Sequence, residues 1–568
     1  MNLRPRLPEA RALAAIVALG ATAFAAATFA AAFGASAAAS GAAPPAASDA
    51  AATLARAERA LGAEARRSHG EALLLEGTAD FLGSPATTTL LILPDGRFHQ
   101  ATEGRTVSSR TWDGTTMWAR DLGGEVRQEV FGERTTTRLE MAVVSGSWTD
   151  LARSWTLESL PPQGDPPGPA LAFAIAEDSI QGTIDFDPAT HLPRRWSWTR
   201  GDSTNTMVLG EWRECGGMHL PGSVAASGST GTVSQSRITK ASLVAAPESF
   251  QVPAPPADWR YDASIPADVE VVRAPTGHLL VHPLVNGRDP GWFILDTGAG
   301  INCLSKGTVA ALGLQTFGAV PAAGVGGTVS SPFCQPDSLS LGPLTLERPL
   351  TVVLDLDFLS GPMGRPIGGI VGYGLFARST VRLDLSTPAL RILDASRGAA
   401  DLAPPVQEGE WVPLALAGSI PCVRAAIEGH EGFVKLDTGA GRDTITLHAP
   451  AVERLKLLEG RETTPTRVGG VGGSLPAQKG TLAWIQVGSI RHQDVPAVFA
   501  TTPKGSFSNP DVLGNMGVGL FEECVLVFDY PRQRMAFVRR DAAAAPPAAQ
   551  GAAAPPAAPP AVHGAGDQ

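Results

Sequence analysis

Phe293-Ile294-Leu295-Asp296-Thr297-Gly298-Ala299-Gly300 has a twin in Phe433-Val434-Lys435-Leu436-Asp437-Thr438-Gly439-Ala440-Gly441. Each is an apolar strand running into Asp-Thr-Gly and then small residues. One Asp-Thr-Gly constrains little, since a given tripeptide recurs by chance about once in several thousand positions. Two identical five-residue cores, each closing an apolar strand, require a duplicated unit and suggest that Asp296 and Asp437 meet in space.

The duplication extends beyond the two sites. Asn286-Gly287 before the first and Gly429 before the second are hairpin-turn positions. After each site comes a glycine-rich stretch, Gly324-Val325-Gly326-Gly327 and Gly470-Val471-Gly472-Gly473. Each half then reaches a hydrophobic-hydrophobic-Gly element, read as Ile370-Val371-Gly372 and Val512-Leu513-Gly514, and closes on Gly-Leu-Phe. The step from Asp to that Phe is 80 positions in the first half and 84 in the second, and a further Asp follows eight positions later in both. This register sets two half-domains at 269–396 and 410–540.

The pattern is similar to the retropepsin-like aspartyl proteases, in a single-chain, two-copy form like the pepsin group. The resemblance implies a bilobal β domain with catalytic Asp296 and Asp437. It implies that Thr297 and Thr438 cross-bond the two loops and that the hydrophobic-hydrophobic-Gly strand stiffens each loop. It also implies that the glycine-rich hairpins (Gly324, Val325, Gly326, Gly327; Gly470, Val471, Gly472, Gly473) are flaps over a bound peptide; plain hairpin turns are the alternative.

Two carboxylates about 3 Å apart cannot both ionise and share one proton. The charged member takes a proton from water as it attacks a peptide carbonyl; the protonated member donates to the carbonyl oxygen. The pair titrates as a unit, so the sequence does not say which is base and which acid. Gly298 and Gly439 let the backbone approach the carboxylates and donate amide hydrogen bonds. Ala299 and Ala440 stand where pepsin-like members carry Ser or Thr, and alanine offers no hydroxyl to favour the charged form. A pH optimum from mildly acidic to near neutral is expected. The loops continue with Gly300 and Gly441, where the family often has Ser or Asp.

At 568 residues the chain needs more than one core. Residues 38–50 read as a linker and 51–250 as a β-rich domain, in which Ala51–Arg67 has the spacing of one amphipathic helix. Period-two runs around residues 72–77, 89–94, 117–120, 170–175, 183–186 and 195–198 predict strands separated by turns such as Asp113-Gly114. One helix followed by antiparallel strands predicts a curved sheet wrapped on a helix, a half-barrel. Seven of the eleven tryptophans lie here, either as core or lining an apolar groove for lipid, acyl chain or peptide. Trp112-Asp113-Gly114, Asp185-Phe186-Asp187-Pro188 and His191-Leu192-Pro193 give this region a resemblance to periplasmic lipoprotein-carrier proteins, which implies that it handles something hydrophobic.

Residues 251–268 read as a Pro-rich linker and 541–568 as an Ala/Pro-rich disordered tail. Arg4, Arg6 and Arg11 precede an uncharged run from Ala12 to Phe33 and then small residues, so 1–37 reads as a secretory signal peptide. The run is also long enough to span a bilayer, and a retained anchor associating the protein with a membrane is the alternative. Either places the body in the periplasm or outside the cell.

Net charge is −10, with no basic stretch interleaved with aromatics, which argues against nucleic acid as a partner. Five scattered cysteines form neither a disulfide framework nor a zinc pattern. No metal or cofactor is expected, and Asp355 with Asp357 reads as a solvated loop. The histidines, His282, His430, His448 and His492 among them, read as surface or hairpin residues. The expected function is an aspartic endopeptidase acting on extended peptide or protein substrates as a monomer; the alternative is a non-catalytic envelope carrier of peptides or lipids.

Overall fold

The computed structural model describes residues 47–539 except 229–230, 251, 253, 399–401, 403–405 and 408–409. The signal or anchor segment and the Ala/Pro-rich tail lie outside the described residues. The chain is mostly β, as expected: a curved N-terminal sheet with helices, then two duplicated half-domains.

The N-terminal sheet has thirteen antiparallel strands. Its first strand, Ala72–Phe81, lies at the centre, paired with Ser84–Ile92 on one side and with the last strand, Gly231–Val244, on the other. Six strands run out to one edge at Val126–Glu129, and the rest reach the other edge at Thr156–Gln163. Every run expected to be a strand overlaps one, although the run at 89–94 leaves the sheet after Ile92.

The helices differ from expectation. The single helix predicted over Ala51–Arg67 is two, Ala47–Leu61 and Ala63–Ser68, because Gly62 turns left-handed at φ 73°. A further helix, Phe131–Ser145, joins the two edges of the sheet and was not legible. It buries polar groups alongside apolar ones: Thr137 donates to Glu129 at 2.8 Å, and Thr136 is buried beside Leu139 and Val143. A buried face containing threonines carries no clean apolar period.

Three of the seven tryptophans of this region form core. Trp148, Trp196 and Trp198 are fully buried and pack with Phe173 and Phe186; the Trp148 and Trp196 rings meet edge-on at 5.2 Å. A largely apolar cavity of about 240 Å³ nevertheless lies against the helix Phe131–Ser145, lined by Leu75, Leu90, Met141, Val144, Met207 and Trp198, with Arg110 and Glu140 also in its wall.

Each half-domain forms an eight-stranded sheet, and the halves share a six-stranded sheet. In that shared sheet Ser379–Asp384 of the first half pairs antiparallel with Cys524–Asp529 of the second. Phe376 and Phe528, their centroids 5.3 Å apart, pack in the common core. Part of the stretch read as a linker is structured: Trp259–Tyr261 pairs with Leu344–Glu347, and Trp259 packs against the common core. Among the described residues no helix is long and apolar enough to cross a membrane. Cys303, Cys334, Cys422 and Cys524 are buried, Cys215 partly so, and all five are free thiols.

Both halves touch the N-terminal domain. The backbone N–H of Ala319 donates to Leu82 O at 2.9 Å, fixing the tip of the first N-terminal hairpin to the first half. Asp202 accepts from Gly505 N at 2.7 Å and from Ser508 Oγ at 2.6 Å, and Arg200 pairs with Asp511, tying in the second half. Between them, buried Arg378 pairs with Glu125 and, at 2.5 Å, with Asp258. Removing one partner of a buried ion pair strands the other. Glu125→Ala should therefore lower the unfolding free energy by about 3 kcal/mol, the low end for such a loss because Asp258 remains. Urea unfolding of the full chain measures this, and an unchanged midpoint contradicts it.

Candidate active site

Asp296 and Asp437 come together at the interface of the halves. Asp296 directly follows the strand Trp292–Leu295 and Asp437 ends the strand His430–Asp437, each the third strand of its eight-stranded sheet, and both are buried. A parallel neighbour braces each strand from behind, Ile367–Val371 in the first half and Val512–Gly517 in the second.

Strand register corrects the sequence reading of the second brace. Leu295 pairs with Val371, and Leu436 pairs with Met516. The equivalent of Ile370-Val371-Gly372 is therefore Asn515-Met516-Gly517, three residues beyond Val512-Leu513-Gly514. Asparagine at the first position hid the match. The spacing to Phe carried the signal: Gly372 and Gly517 both precede their Phe by four residues.

The two loops are cross-tied through their threonines. Thr297 Oγ1 donates to Leu436 O at 2.8 Å and accepts from Thr438 N at 3.0 Å. Thr438 Oγ1 donates to Leu295 O at 2.8 Å and accepts from Thr297 N at 2.9 Å. All four bonds are buried and cross between the halves. Gly298 N donates to Asp296 Oδ1 at 2.7 Å. The glycines also make room for the opposite carboxyl: a Cβ at Gly298 would sit 2.5 Å from Asp437 Oδ1, and one at Gly439 2.4 Å from Asp296.

Burial and the mutual proximity of the carboxyls push Asp296 well above the usual range, against amide bonds from Gly298 and Gly439. Burial raises Asp437 to about 6, opposed by its hydrogen bond with Asp296, the Gly439 amide, Lys435 and Asn515. Two carboxyls buried against each other do not both ionise, so the pair holds at least one proton. Asp296 Oδ2 and Asp437 Oδ1 have no hydrogen-bond partner elsewhere among the described residues.

The glycine-rich hairpins interlock. Gly326 N donates to Val471 O at 3.1 Å across the two tips. Val325 is buried among Val468, Leu475, Ala500 and Phe507 of the second half, and Val471 among Ala299, Leu356 and Ile370 of the first. Only glycine fits at 326, since a Cβ there would lie 2.3 Å from the Gly472 backbone.

Three polar residues near the pair escaped the sequence reading. Lys435 and Asn515 sit in apolar strands, and His448, expected at the surface, is fully buried with Nε2 2.8 Å from Asn515 Oδ1. Position-by-position comparison of the halves would have exposed them. Of the other acidic residues singled out, Asp355 is exposed and pairs with Lys306 at 3.1 Å. No group of three or more His, Cys, Asp or Glu side chains among the described residues is placed to hold a metal.

The raised values make stability pH-dependent. The folded pair binds protons more tightly than the unfolded chain. Its contribution is complete below the unfolded carboxyl value near 4 and is lost as pH rises through about 6. Asp296→Asn removes one of the penalised charges. It should stabilise the fold at pH 7 by on the order of 1–3 kcal/mol and leave stability at pH 3 unchanged. Thermal melts at the two pH values test this, and destabilisation at pH 7 contradicts it.

No curated protein matches the chain. Among solved structures, soybean basic 7S globulin is 12% identical, with a TM-score of 0.28, over 50% of this chain and 95% of its own. A LolA superfamily protein from Nitrosomonas europaea is 11% identical, with a TM-score of 0.26, over 35% of this chain and 95% of its own. A DUF1329 family protein from Desulfovibrio piger is 10% identical, with a TM-score of 0.26, over 34% of this chain and 92% of its own. Residues 281–375 and 423–520 each match the aspartyl protease family model, one match per half, which supports a protease-type hydrolase function. The two segments, each with its Asp-Thr-Gly loop, are thus similar to the aspartyl protease family, one copy per half.

Proposed function

We propose that the protein is an aspartic endopeptidase in which Asp296 and Asp437 activate water against an extended peptide or protein substrate. The observation that carries this reading is the buried carboxyl pair held by four threonine hydrogen bonds across the halves. One carboxylate takes a proton from water as the new C–O bond forms, and the other carboxyl protonates the carbonyl oxygen. The resulting gem-diol collapses as its C–N bond breaks. The first carboxyl gives its proton to the leaving nitrogen, and the second takes one back from a diol hydroxyl. Both carboxyls end as they began, and no covalent intermediate forms.

Substrate enters once the interlocked tips part, and their free backbone groups then bind the peptide in extended form. One chain supplies both carboxyls, so the monomer is sufficient. The N-terminal basic and apolar segment supports a location in the cell envelope or outside the cell. The apolar cavity of about 240 Å³ favours a second role for the N-terminal domain, holding a hydrophobic ligand.

Wild-type protein should cleave casein or a peptide library between pH 3 and 8, most actively from mildly acidic to near neutral pH. Asp296→Asn and Asp437→Asn should each lower kcat by at least about 1,000-fold while peptide binding persists, because the pair acts as a unit. A profile peaking near pH 2, or full activity in either variant, contradicts the reading. Absence of cleavage by wild type, with or without removal of residues 38–268, supports the carrier instead.

A further inference from the structure

The halves are copies, so residues that break the copy beside the carboxyls are informative. Ile294 pairs with Ile370 where the first Asp strand meets its brace. At the same register in the second half, Lys435 pairs with Asn515. The next strand adds a third position: Ser305 in the first half and His448 in the second, each following a leucine paired with the brace glycine. Two isoleucines and a serine beside Asp296 correspond to a lysine, an asparagine and a histidine beside Asp437.

Ser305 has a structural task, capping the helix Lys306–Leu312 by accepting from Thr308 N. His448 precedes the equivalent helix without capping it. Burial and nearby Lys435 push His448 down to about 3, so the ring is neutral and has one N–H. Given to Asn515 Oδ1, its shorter contact at 2.8 Å, that proton fixes the amide with Nδ2 toward Asp437 Oδ2, 3.4 Å away. The longer contact of Nδ1 with Asn509 O, at 3.2 Å, is then left without a proton.

Lys435 is 5% exposed, and its ammonium makes no hydrogen bond or ion pair with another described residue. Burial lowers its ammonium from the usual lysine value, and Cys422, Asp437, Asp511 and Glu133 oppose this; the Cys422 thiol is itself pushed up to about 12 by burial and stays protonated. Asp511 is committed to Arg200, and Glu133 to Arg127 at 2.9 Å. Asp437, two residues along the same strand and therefore on the same face, is the neighbour without a cation of its own.

The other ionisable groups do not supply one. Partly buried Asp443, raised to about 6 by burial and by Asp437, lies on the Asp437 side, and burial holds His278, whose Nδ1 lies 2.8 Å from Thr276 Oγ1, neutral with a value near 4. Cys303 and Tyr530 face Asp296, and burial keeps both protonated.

We propose that Lys435 and the His448-oriented Asn515 are positioning residues that hold Asp437 as the ionised member of the pair. Asp437 is then the base that takes the proton from water, and Asp296 the acid that protonates the carbonyl oxygen. This rests on the endopeptidase reading for its chemistry, but the charge asymmetry can be measured without turnover.

Full-length protein labelled with ¹³C at the aspartate carboxyls, titrated by NMR, reads the ionisation directly. Its signals are assigned by their loss in Asp296→Asn and Asp437→Asn. In wild type the Asp437 signal should move first as pH rises. Lys435→Met should raise that midpoint by about one pH unit, a tenfold change in ionisation constant. Asn515→Leu should raise it less, Lys435→Arg should keep the wild-type midpoint, and Ile294→Met should have no effect. First ionisation at Asp296 overturns the inference, and that result needs no change at Lys435. An unmoved midpoint in folded Lys435→Met overturns it equally. If wild type shows the asymmetry yet cleaves no peptide, the endopeptidase reading fails alone; if it cleaves and the asymmetry is missing, the inference fails alone.

Discussion

Two carboxyl groups buried side by side repel as soon as both ionise, and nothing in their own chemistry keeps them together. The four hydrogen bonds exchanged by Thr297 and Thr438 with the opposite loop do so. Each threonine satisfies a backbone N–H and a backbone C=O of the other half, so separating the halves strands buried polar groups at about 1–3 kcal/mol each. The remaining features of the duplicated halves reinforce this tie. The bracing strands fix the direction of each Asp strand, the shared six-stranded sheet joins the lobes behind it, and the exchanged tip valines join them at the hairpins.

The same logic extends to the N-terminal half-barrel. Leu82 O accepts from Ala319, which lies in the outer strand of the first glycine-rich hairpin. Asp202 holds Gly505 and Ser508, and Gly505 lies against the carbonyls of Gly324 and Val325 at that hairpin's tip. The half-barrel thus grips the first hairpin at its base and, through the second half, at its tip. A second cavity of about 160 Å³ at this junction is lined by both domains, Lys435 among its residues, and shares Glu140 and Asn205 with the wall of the apolar cavity. The half-barrel and the duplicated halves are therefore joined by direct contacts and by adjoining cavities.

How much of this was legible depended on whether a residue repeated or broke a pattern. The duplicated loops, their glycines and the paired hairpins were readable because apolar strands, turns and small residues each leave a local signature. The threonine ties were anticipated only by resemblance, since no spacing argument says where a side chain finds a partner 141 residues away. The second brace was misplaced because Asn515 occupies an apolar position, and His448 was misread because its burial depends on Asn515. The helix Phe131–Ser145 was missed because its buried face mixes threonine with leucine and valine. In each case a tertiary polar contact had replaced the apolar period on which sequence reading relies.

The central claim is that both halves build one catalytic pair. Titrating the full chain calorimetrically with a peptide whose scissile carbonyl is replaced by a hydroxyl-bearing tetrahedral carbon tests it most directly. The account predicts one tight site per chain, weakened at least about 100-fold by Asp296→Asn and equally by Asp437→Asn, because the hydroxyl must meet both carboxyls. Two sites per chain, or binding indifferent to either substitution, would contradict it.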